Sequence, residues 1–279
     1  MQLNTYEDII KSRNSAQKFL LKFCWKNHQR FCPRCRFRKL YDLGTGRRRC
    51  SRCRYTFHDF TGRFINFARL SPRQWLRFIK LFELEVAPEM MAEQLDVSSN
   101  TIRKALTISR LSVLAGSLDG PQIIHDLKLV SLLRNISEPD FPSPVLGVLP
   151  SYGKIFIDYL PDITLETLLH FKQSFFLQTR HVGRIIYTAP YKKYLSLIAW
   201  DDGLFLNRQI SHNRTKVQID TDKDFWAYAR PKLKSFRTVN PLRLLLYLKE
   251  LEFRFNHNEE DPFPALCSRL CAFVPNLEQ

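Results

Sequence analysis

The chain has 279 residues with 44% hydrophobic content, and its 43 Lys and Arg against 27 Asp and Glu give a net charge of +16. This length and apolar content suit two or three folded domains, and the excess positive charge indicates a polyanionic partner. The longest apolar runs are short and interrupted by Lys or Arg, which argues against a transmembrane helix and a membrane partner. The first residues lack the basic and apolar regions of a secretory signal, so a cytoplasmic location is expected.

The positive charge is concentrated near the N-terminus. Residues 1–69 hold 17 Lys and Arg against 4 Asp and Glu, whereas residues 70–279 hold 26 against 23. A merely solvated surface would scatter both signs over the chain. The imbalance therefore predicts that a polyanion binds mainly to the N-terminal third.

Residues 5–27 have the apolar spacing of two short helices. Tyr6, Ile9 and Ile10 form the apolar face of the first helix. Asn14-Ser15 is the candidate N-terminal cap of the second, because short polar side chains can bond free backbone N–H groups there.

Two Cys-x-x-Cys motifs follow, with fourteen residues between them. This spacing is close to that of zinc sites, and a short hairpin between the motifs would bring the second thiol pair opposite the first. Residues 38–41 and 47–49 predict its strands, with the turn at 42–46. Two disulfides or four unrelated thiols are the alternatives, and the spacing and the missing secretory signal argue against both. Four thiolates leave no open position, so we expect a structural Zn²⁺ held by Cys32, Cys35, Cys50 and Cys53.

Basic side chains surround both motifs and are the candidate contacts to nucleic-acid phosphates. They are Arg34, Arg36, Arg38, Lys39, Arg47, Arg48, Arg49, Arg52 and Arg54.

Residues 70–116 predict three helices. Ser71-Pro72 starts the first, whose apolar stripe runs from Trp75 to Phe82, and Met90, Met91 and Leu95 line the second. A tight turn at 96–98 then leads into a helix with a polar start, which is the layout of a helix-turn-helix. The alternative is a plain helical hairpin. In a helix-turn-helix the residues entering the major groove would be Ser99, Asn100, Thr101, Arg103 and Lys104.

After Gly116 and Gly120 the pattern changes to alternating strands and helices, which predicts an α/β or α+β domain. The predicted strands are 122–124, 144–149, 154–159 and 184–188, and the predicted helices are 164–175, 222–230 and 242–255. The remaining cysteines, Cys24, Cys267 and Cys271, are expected to be buried thiols, the last two on a C-terminal helix.

The ribbon motif resembles the front of certain bacterial insertion-sequence transposases. The residues carrying the resemblance are Cys32-Pro33-Arg34-Cys35, Arg48-Arg49-Cys50-Ser51-Arg52-Cys53-Arg54-Tyr55-Thr56-Phe57 and Thr61-Gly62, followed by the helix-turn-helix. One departure is that the two arginines abut Cys50 directly. Looser family-like phrases occur at 144–149, 185–188, 224–227 and 247–257.

The resemblance implies a multidomain α+β protein with a ribonuclease H-like domain of the DDE type behind the binding elements. The implied divisions are N-terminal helices and zinc ribbon at 1–69, helix-turn-helix at 70–116, and a degenerate ribonuclease H-like α/β domain at 117–279.

In that family three acids hold divalent ions for phosphodiester attack. The matching positions here hold His125 (or Asp126 with a one-residue slip), Ala189 and Lys223. Alanine cannot ligate a metal and lysine repels one, so Mg²⁺ is not expected as a cofactor. Displaced acids such as Asp126, Asp201, Asp202, Asp222 or Asp224 are the alternative way to build such a site.

Three functional hypotheses follow from the sequence. The first is a catalytically inactive, transposase-derived DNA-binding protein, domesticated from a mobile element, associated with the nucleoid, whose rear domain is a scaffold or forms a homodimer. The second is an active transposase that uses displaced carboxylates. The third is a zinc-ribbon protein that binds RNA or another protein through its basic face.

Overall fold

The computed structural model describes residues 3–44, 46–117, 120–126, 128–129, 131–134, 146–160, 196–201, 204–209, 225, 227–229, 231–232, 241–258 and 261–275. Contacts divide the chain into two compact units. The first unit comprises Met1–Glu138 together with Glu260–Gln279, and the second comprises Pro139–Glu259. The architecture is mixed, with helices and antiparallel sheets.

Two helices open the first unit, as predicted: α1 (Leu3–Ile10) and α2 (Arg13–Cys24). The predicted cap at Asn14-Ser15 is wrong, because those residues are already in the first helical turn of α2. Ser12 is the cap, with an extended backbone and an Oγ that accepts a 3.0 Å bond from the Ser15 N–H. On α2, Ala16, Leu20 and Cys24 are buried.

The cysteine-containing segment forms a three-stranded antiparallel sheet in the order β1-β2-β3. Its strands are β1 (Leu40–Asp42), β2 (Arg47–Cys50) and β3 (Thr56–His58). The hairpin of β1 and β2 was predicted, whereas β3 was not. We call residues 30–60 the ribbon.

Three helices follow as predicted: α3 (Pro72–Glu83), α4 (Pro88–Leu95) and α5 (Ser99–Ala115). Ser71 and Gln74 form a reciprocal capping box at the start of α3, whose buried residues include Trp75 and Phe78. On α4, Met91 is buried as predicted, but Met90 is exposed, which corrects the predicted apolar face. Asp96 ends α4 in the left-handed conformation.

The strand predicted at 122–124 is wrong, since these residues lie in helix α6 (Gly120–Asp126), which precedes α7 (Ser131–Arg134). Ile123 and Ile124 are both buried. A strand with one buried face would have pointed these neighbours to opposite sides. Pro121, just inside the start of α6, is also typical of a helix N-terminus.

The last described segment of the first unit contains α9 (Pro262–Leu270), capped by Asp261. Phe263, Leu266 and Cys267 on this helix are buried. Cys24 and Cys271 are buried as well, so the three cysteines outside the ribbon are core thiols, as predicted. Cys271 was predicted to lie on the helix, whereas it is the residue that follows the end of α9.

The second unit contains four described strands in the order β5-β4-β6-β7, and all neighbouring pairs are antiparallel. β4 (Leu146–Ser151) and β5 (Lys154–Tyr159) correspond to predicted strands, whereas β6 (Ser196–Asp201) and β7 (Leu204–Gln209) were missed. The helix α8 (Pro241–Asn256) matches the prediction for 242–255. The predicted elements at 164–175 and 184–188 lie outside the described residues, and of 222–230 only residues 225 and 227–229 are described, all helical.

Side chains of α8 bond the backbone of β5, the strand at the end of the sheet order. The Asn256 side chain accepts from the Ile155 N–H at 2.8 Å and donates to the Ile155 carbonyl at 2.7 Å. Glu252 accepts from the Ile157 N–H at 2.8 Å. These side chains satisfy groups that a further strand would otherwise use.

Candidate zinc centre and nucleic-acid interface

The four ribbon cysteines converge on one point. Their sulfur atoms all lie within 4.8 Å of one another, and the Cys32–Cys53 and Cys35–Cys50 sulfurs are 3.6 Å apart. A tetrahedral Zn²⁺ with bonds of about 2.3 Å separates its sulfurs by about 3.8 Å. The observed spacing fits that ion and is far longer than a disulfide bond of about 2.05 Å.

The two Cys-x-x-Cys turns repeat one backbone design. In the first, the Cys32 N–H donates to the Phe37 carbonyl at 2.8 Å and the Arg36 N–H donates to the Cys32 carbonyl at 2.9 Å. In the second, Cys50 and Arg54 make the equivalent bonds at 2.9 and 3.1 Å. Arg36 and Arg54 both have a φ of 60°, a left-handed conformation that favours glycine. Each knuckle therefore turns tightly enough to present both thiols to one ion.

Backbone N–H groups of the knuckles also act on the sulfurs. Burial raises the pKa of Cys32 to about 12, although the N–H groups of Cys35 and Arg34 oppose that rise. Burial acts in the same direction on Cys50, but the N–H groups of Cys53 and Arg52 and two neighbouring thiols bring the pKa of Cys50 down to about 7. Zinc binds thiolates, and these N–H groups favour the charged form of the sulfurs.

A small apolar core supports the cluster. Cys32, Cys50 and Phe57 are its buried members, and Leu40 and Tyr55 pack against them. The Tyr55 and Phe57 rings stack with their centroids 6.2 Å apart. So few apolar side chains supply little folding energy, which fits a module that depends on a bound metal.

One of the predicted phosphate contacts is engaged inside the ribbon. Arg48 Nη1 lies 2.9 Å from an Asp42 oxygen, and its Nε lies 3.6 Å from an Asp59 oxygen. Asp59 is nearly buried and also accepts from Arg30 Nε at 2.9 Å. Arg48 thus neutralises ribbon carboxylates, so its guanidinium is less accessible to an external phosphate than those of its neighbours.

The other predicted phosphate contacts are exposed: Arg34, Arg36, Arg38, Lys39, Arg47, Arg49, Arg52 and Arg54. Among these, Arg36 also contacts aromatic faces, with its guanidinium carbon 5.1 Å from the Phe31 ring centroid and 5.2 Å from that of Phe273.

The predicted groove-reading residues lie at the start of α5. Ser98 is the cap, and its Oγ accepts from the Thr101 N–H at 3.3 Å. Ser99, Asn100 and Arg103 are exposed, and Thr101 and Lys104 are half-buried. Beside them is an open depression of about 550 Å³ whose lining includes Glu89, Glu93 and Asp96. These acids lie in α4 and in the turn before α5, so their position beside the start of α5 could have been predicted from the sequence.

Of the candidate catalytic positions, the described residues include His125, Asp126 and Asp201. His125 is exposed in α6, a helix rather than the expected strand, and Asp126 ends the same helix. Asp201 ends β6. Ala189, Lys223, Asp202, Asp222 and Asp224 lie outside the described residues. In the part of the chain that is described, the four cysteines are the one group of three or more His, Cys, Asp or Glu whose ligand atoms come together.

Among the described helices, none combines the length and the apolar character that crossing a bilayer requires.

Comparison with known protein families identifies a family model that matches part of the chain. Residues 11–56 match the family of transposase zinc-ribbon domains named after IS1595, a segment that includes α2 and all four converging cysteines. No curated protein and no solved structure matches the chain. The match supports an N-terminus of the insertion-sequence transposase type. The four-cysteine cluster in it could bind zinc. A transposase zinc-ribbon domain also suggests DNA binding.

Proposed function

We propose that this protein is a transposase-derived DNA-binding protein that has lost DNA cleavage and strand transfer. The observation that carries the proposal is the zinc ribbon itself, which matches a transposase domain and is covered with exposed cations. In this proposal a structural Zn²⁺ on Cys32, Cys35, Cys50 and Cys53 holds the ribbon in shape, and the ribbon holds the DNA.

The charge on the ribbon supports nucleic acid as the ligand. Eight of the nine predicted phosphate contacts are exposed, whereas the two acids, Asp42 and Asp59, are paired with arginines. Phosphates that replace bound counterions release those ions, so affinity falls steeply with salt. Each phosphate contact contributes about 0.9 to the slope of log affinity against log salt.

The helices α3–α5 are proposed as a second DNA-binding element, beside the ribbon. Ser99, Asn100, Thr101, Arg103 and Lys104 would approach a major groove, with polar residues at base edges and the cations at phosphates. The acids beside the start of α5, Glu89, Glu93 and Asp96, would repel phosphates there. We therefore infer that the ribbon supplies most of the affinity and α5 supplies the smaller, sequence-dependent part.

The proposed loss of catalysis rests on the absence of carboxylates from the positions that match the family's catalytic acids. A two-metal site needs acids held close to shared ions, and the matching positions hold His125, Ala189 and Lys223. The position of His125 in a helix also supports the loss of catalysis. A helix presents its side chains in directions different from those at the end of a strand. The second unit would then serve as a scaffold or as a homodimer contact. A DNA partner would keep the protein in the cytoplasm on the nucleoid.

The alternative is an active transposase that uses displaced acids, and one set of measurements separates the two. Zinc-loaded protein is incubated with its bound DNA and Mg²⁺ or Mn²⁺, and nicked or joined strands are sought. The proposal expects binding without either product. Cleavage abolished by Asp126→Asn or Asp222→Asn, but retained by the control Asp158→Asn on β5, would establish the alternative.

The binding half of the proposal is tested by salt titration on duplex DNA. Replacing both Arg47 and Arg49 with alanine should flatten the salt slope by about 1.8, whereas Arg73→Ala, an exposed cation on α3, should leave it nearly unchanged. Binding that does not respond to salt would rule out a nucleic-acid partner and favour a protein partner.

A further inference from the structure

The ribbon sheet has one face turned to solvent, and its register defines that face. Tyr41, Arg49 and Thr56 lie side by side across the three strands, and all three are exposed. In the next row, Arg47 pairs with His58, and the Leu43 N–H donates to the Arg47 carbonyl at 3.0 Å. We call the residues Tyr41, Leu43, Arg47, Arg49, Thr56 and His58 the outer face.

The opposite side of the same strands carries the ribbon core. Leu40 lies opposite Cys50, and Arg48 lies opposite Phe57. Successive side chains of a strand point to opposite faces of the sheet. Residues of the core and residues of the outer face therefore alternate along each strand. The acids of the ribbon do not belong to the outer face, because Asp42 is paired with Arg48 and Asp59 is nearly buried. The outer face therefore carries positive charge alone.

Two apolar side chains accompany that charge. Tyr41 is 49% exposed and Leu43 is 44% exposed, and neither packs against the ribbon core. Tyr41 lies directly opposite Arg49, so an aromatic ring and a guanidinium are neighbours on one surface. Aromatic rings that stack on bases, combined with cations that follow the backbone, are the means by which proteins bind single strands.

We propose that the outer face binds unpaired bases of a DNA strand, with Tyr41 stacking on a base and Arg47 and Arg49 holding the adjoining phosphates. This rests on the proposed function, in which the ribbon binds DNA, and it names the form of DNA that the ribbon prefers.

The width of the sheet favours a strand over an intact duplex. Three strands about 4.8 Å apart span about 10 Å before their side chains are added. The major groove is about 12 Å wide and admits an α-helix or a two-stranded ribbon. A three-stranded face with long side chains lies against an opened strand more readily than inside that groove.

The test compares a single-stranded DNA containing 2-aminopurine with its duplex, using the full zinc-loaded chain. The wild type should bind the single strand more tightly and quench the 2-aminopurine fluorescence. Tyr41→Ala should weaken single-strand binding by about five-fold to over a hundred-fold and remove the quenching, while Tyr41→Phe keeps both. Tyr152→Ala removes a different tyrosine, which is fully exposed in the turn between β4 and β5, and should change neither.

Zinc content of one ion per chain in every variant controls for ribbon folding. Duplex binding with no preference for the single strand, or equal affinities of Tyr41→Ala and wild type, would overturn this inference and leave the proposed function standing. Absence of salt-dependent binding to either DNA would overturn both. Tighter binding to an RNA strand of the same sequence would overturn the assignment of DNA.

Discussion

The guanidinium carbon of Arg63 lies 4.0 Å from the ring centroid of Phe273, near the other end of the chain. The same group lies 4.4 Å from the ring centroid of Trp25 and donates to the Cys24 carbonyl at 2.7 Å and to the Cys271 carbonyl. The residue is only 2% exposed. One buried cation thus joins the end of α2, the segment after the ribbon and the C-terminal segment.

Arg63→Met should destabilise the first unit by about 3 kcal/mol or more. Methionine fills part of the space but leaves three backbone carbonyls, those of Cys24, Asp59 and Cys271, without their donor, at about 1–3 kcal/mol each. Urea unfolding followed by tryptophan fluorescence measures the loss. Arg69→Met, at an exposed position, should change stability by less than about 0.5 kcal/mol. Equal midpoints for the two variants would show that the Arg63 contacts do not stabilise the fold.

Cys35→Ser should remove zinc from the ribbon and unfold it, because metal binding supplies much of the folding energy of so small a module. Metal content should fall from one zinc per chain towards none. Hydrogen exchange should speed up at the Cys50 and Arg54 amides, which are bonded within the second knuckle. Cys267→Ala, in the core of α9, should retain its zinc even where it lowers stability. Amide protection that survives a chelator would contradict the structural role of the metal.

Arg54→Gly should stabilise the ribbon while weakening DNA binding. At a φ of 60° glycine avoids the steric cost of a side chain, which we expect to raise stability by about 0.5–1 kcal/mol. The same change removes one cation, so the salt slope should flatten by about 0.9. Chelator resistance and salt titration measure the two effects.

Arg52→Gly is the matched control for that change, since Arg52 is exposed in the same knuckle and has no positive φ. It should flatten the salt slope similarly but lower stability, because glycine there only adds freedom to the unfolded chain. If Arg54→Gly and Arg52→Gly changed the stability of the ribbon in the same direction, the result would argue against backbone strain at Arg54.

Asn256→Ala should expose the edge of β5 and promote self-association. The change leaves the N–H and carbonyl of Ile155 without their partner, at a cost of about 1–3 kcal/mol. Such groups on an edge strand are a template for pairing with another chain. Sedimentation at increasing concentration should show larger species for Asn256→Ala but not for Asn258→Ala, whose side chain is exposed just beyond α8. Identical sedimentation would mean that the edge is protected by other means.

Local patterns account for what was predicted correctly. The cysteine spacing, the Ser71-Pro72 start and the polar opening of α5 each involve residues a few positions apart, and these features hold in the structure. The short strand β3 was missed because three residues carry too little periodicity to identify a strand. The error at 122–124 arose because a short apolar run fits both a strand and a buried helix.

The sequence by itself determined the four cysteines that could bind zinc and the basic character of the N-terminal third, because both depend on residue type and spacing. Only the tertiary structure decided which cations are available, since Arg48 is paired with ribbon carboxylates and Arg63 is buried against rings from elsewhere in the chain. It also decided that Tyr41 faces solvent beside Arg49. Burial and pairing of this kind arise from strand register and from contacts between distant segments, which no local pattern contains.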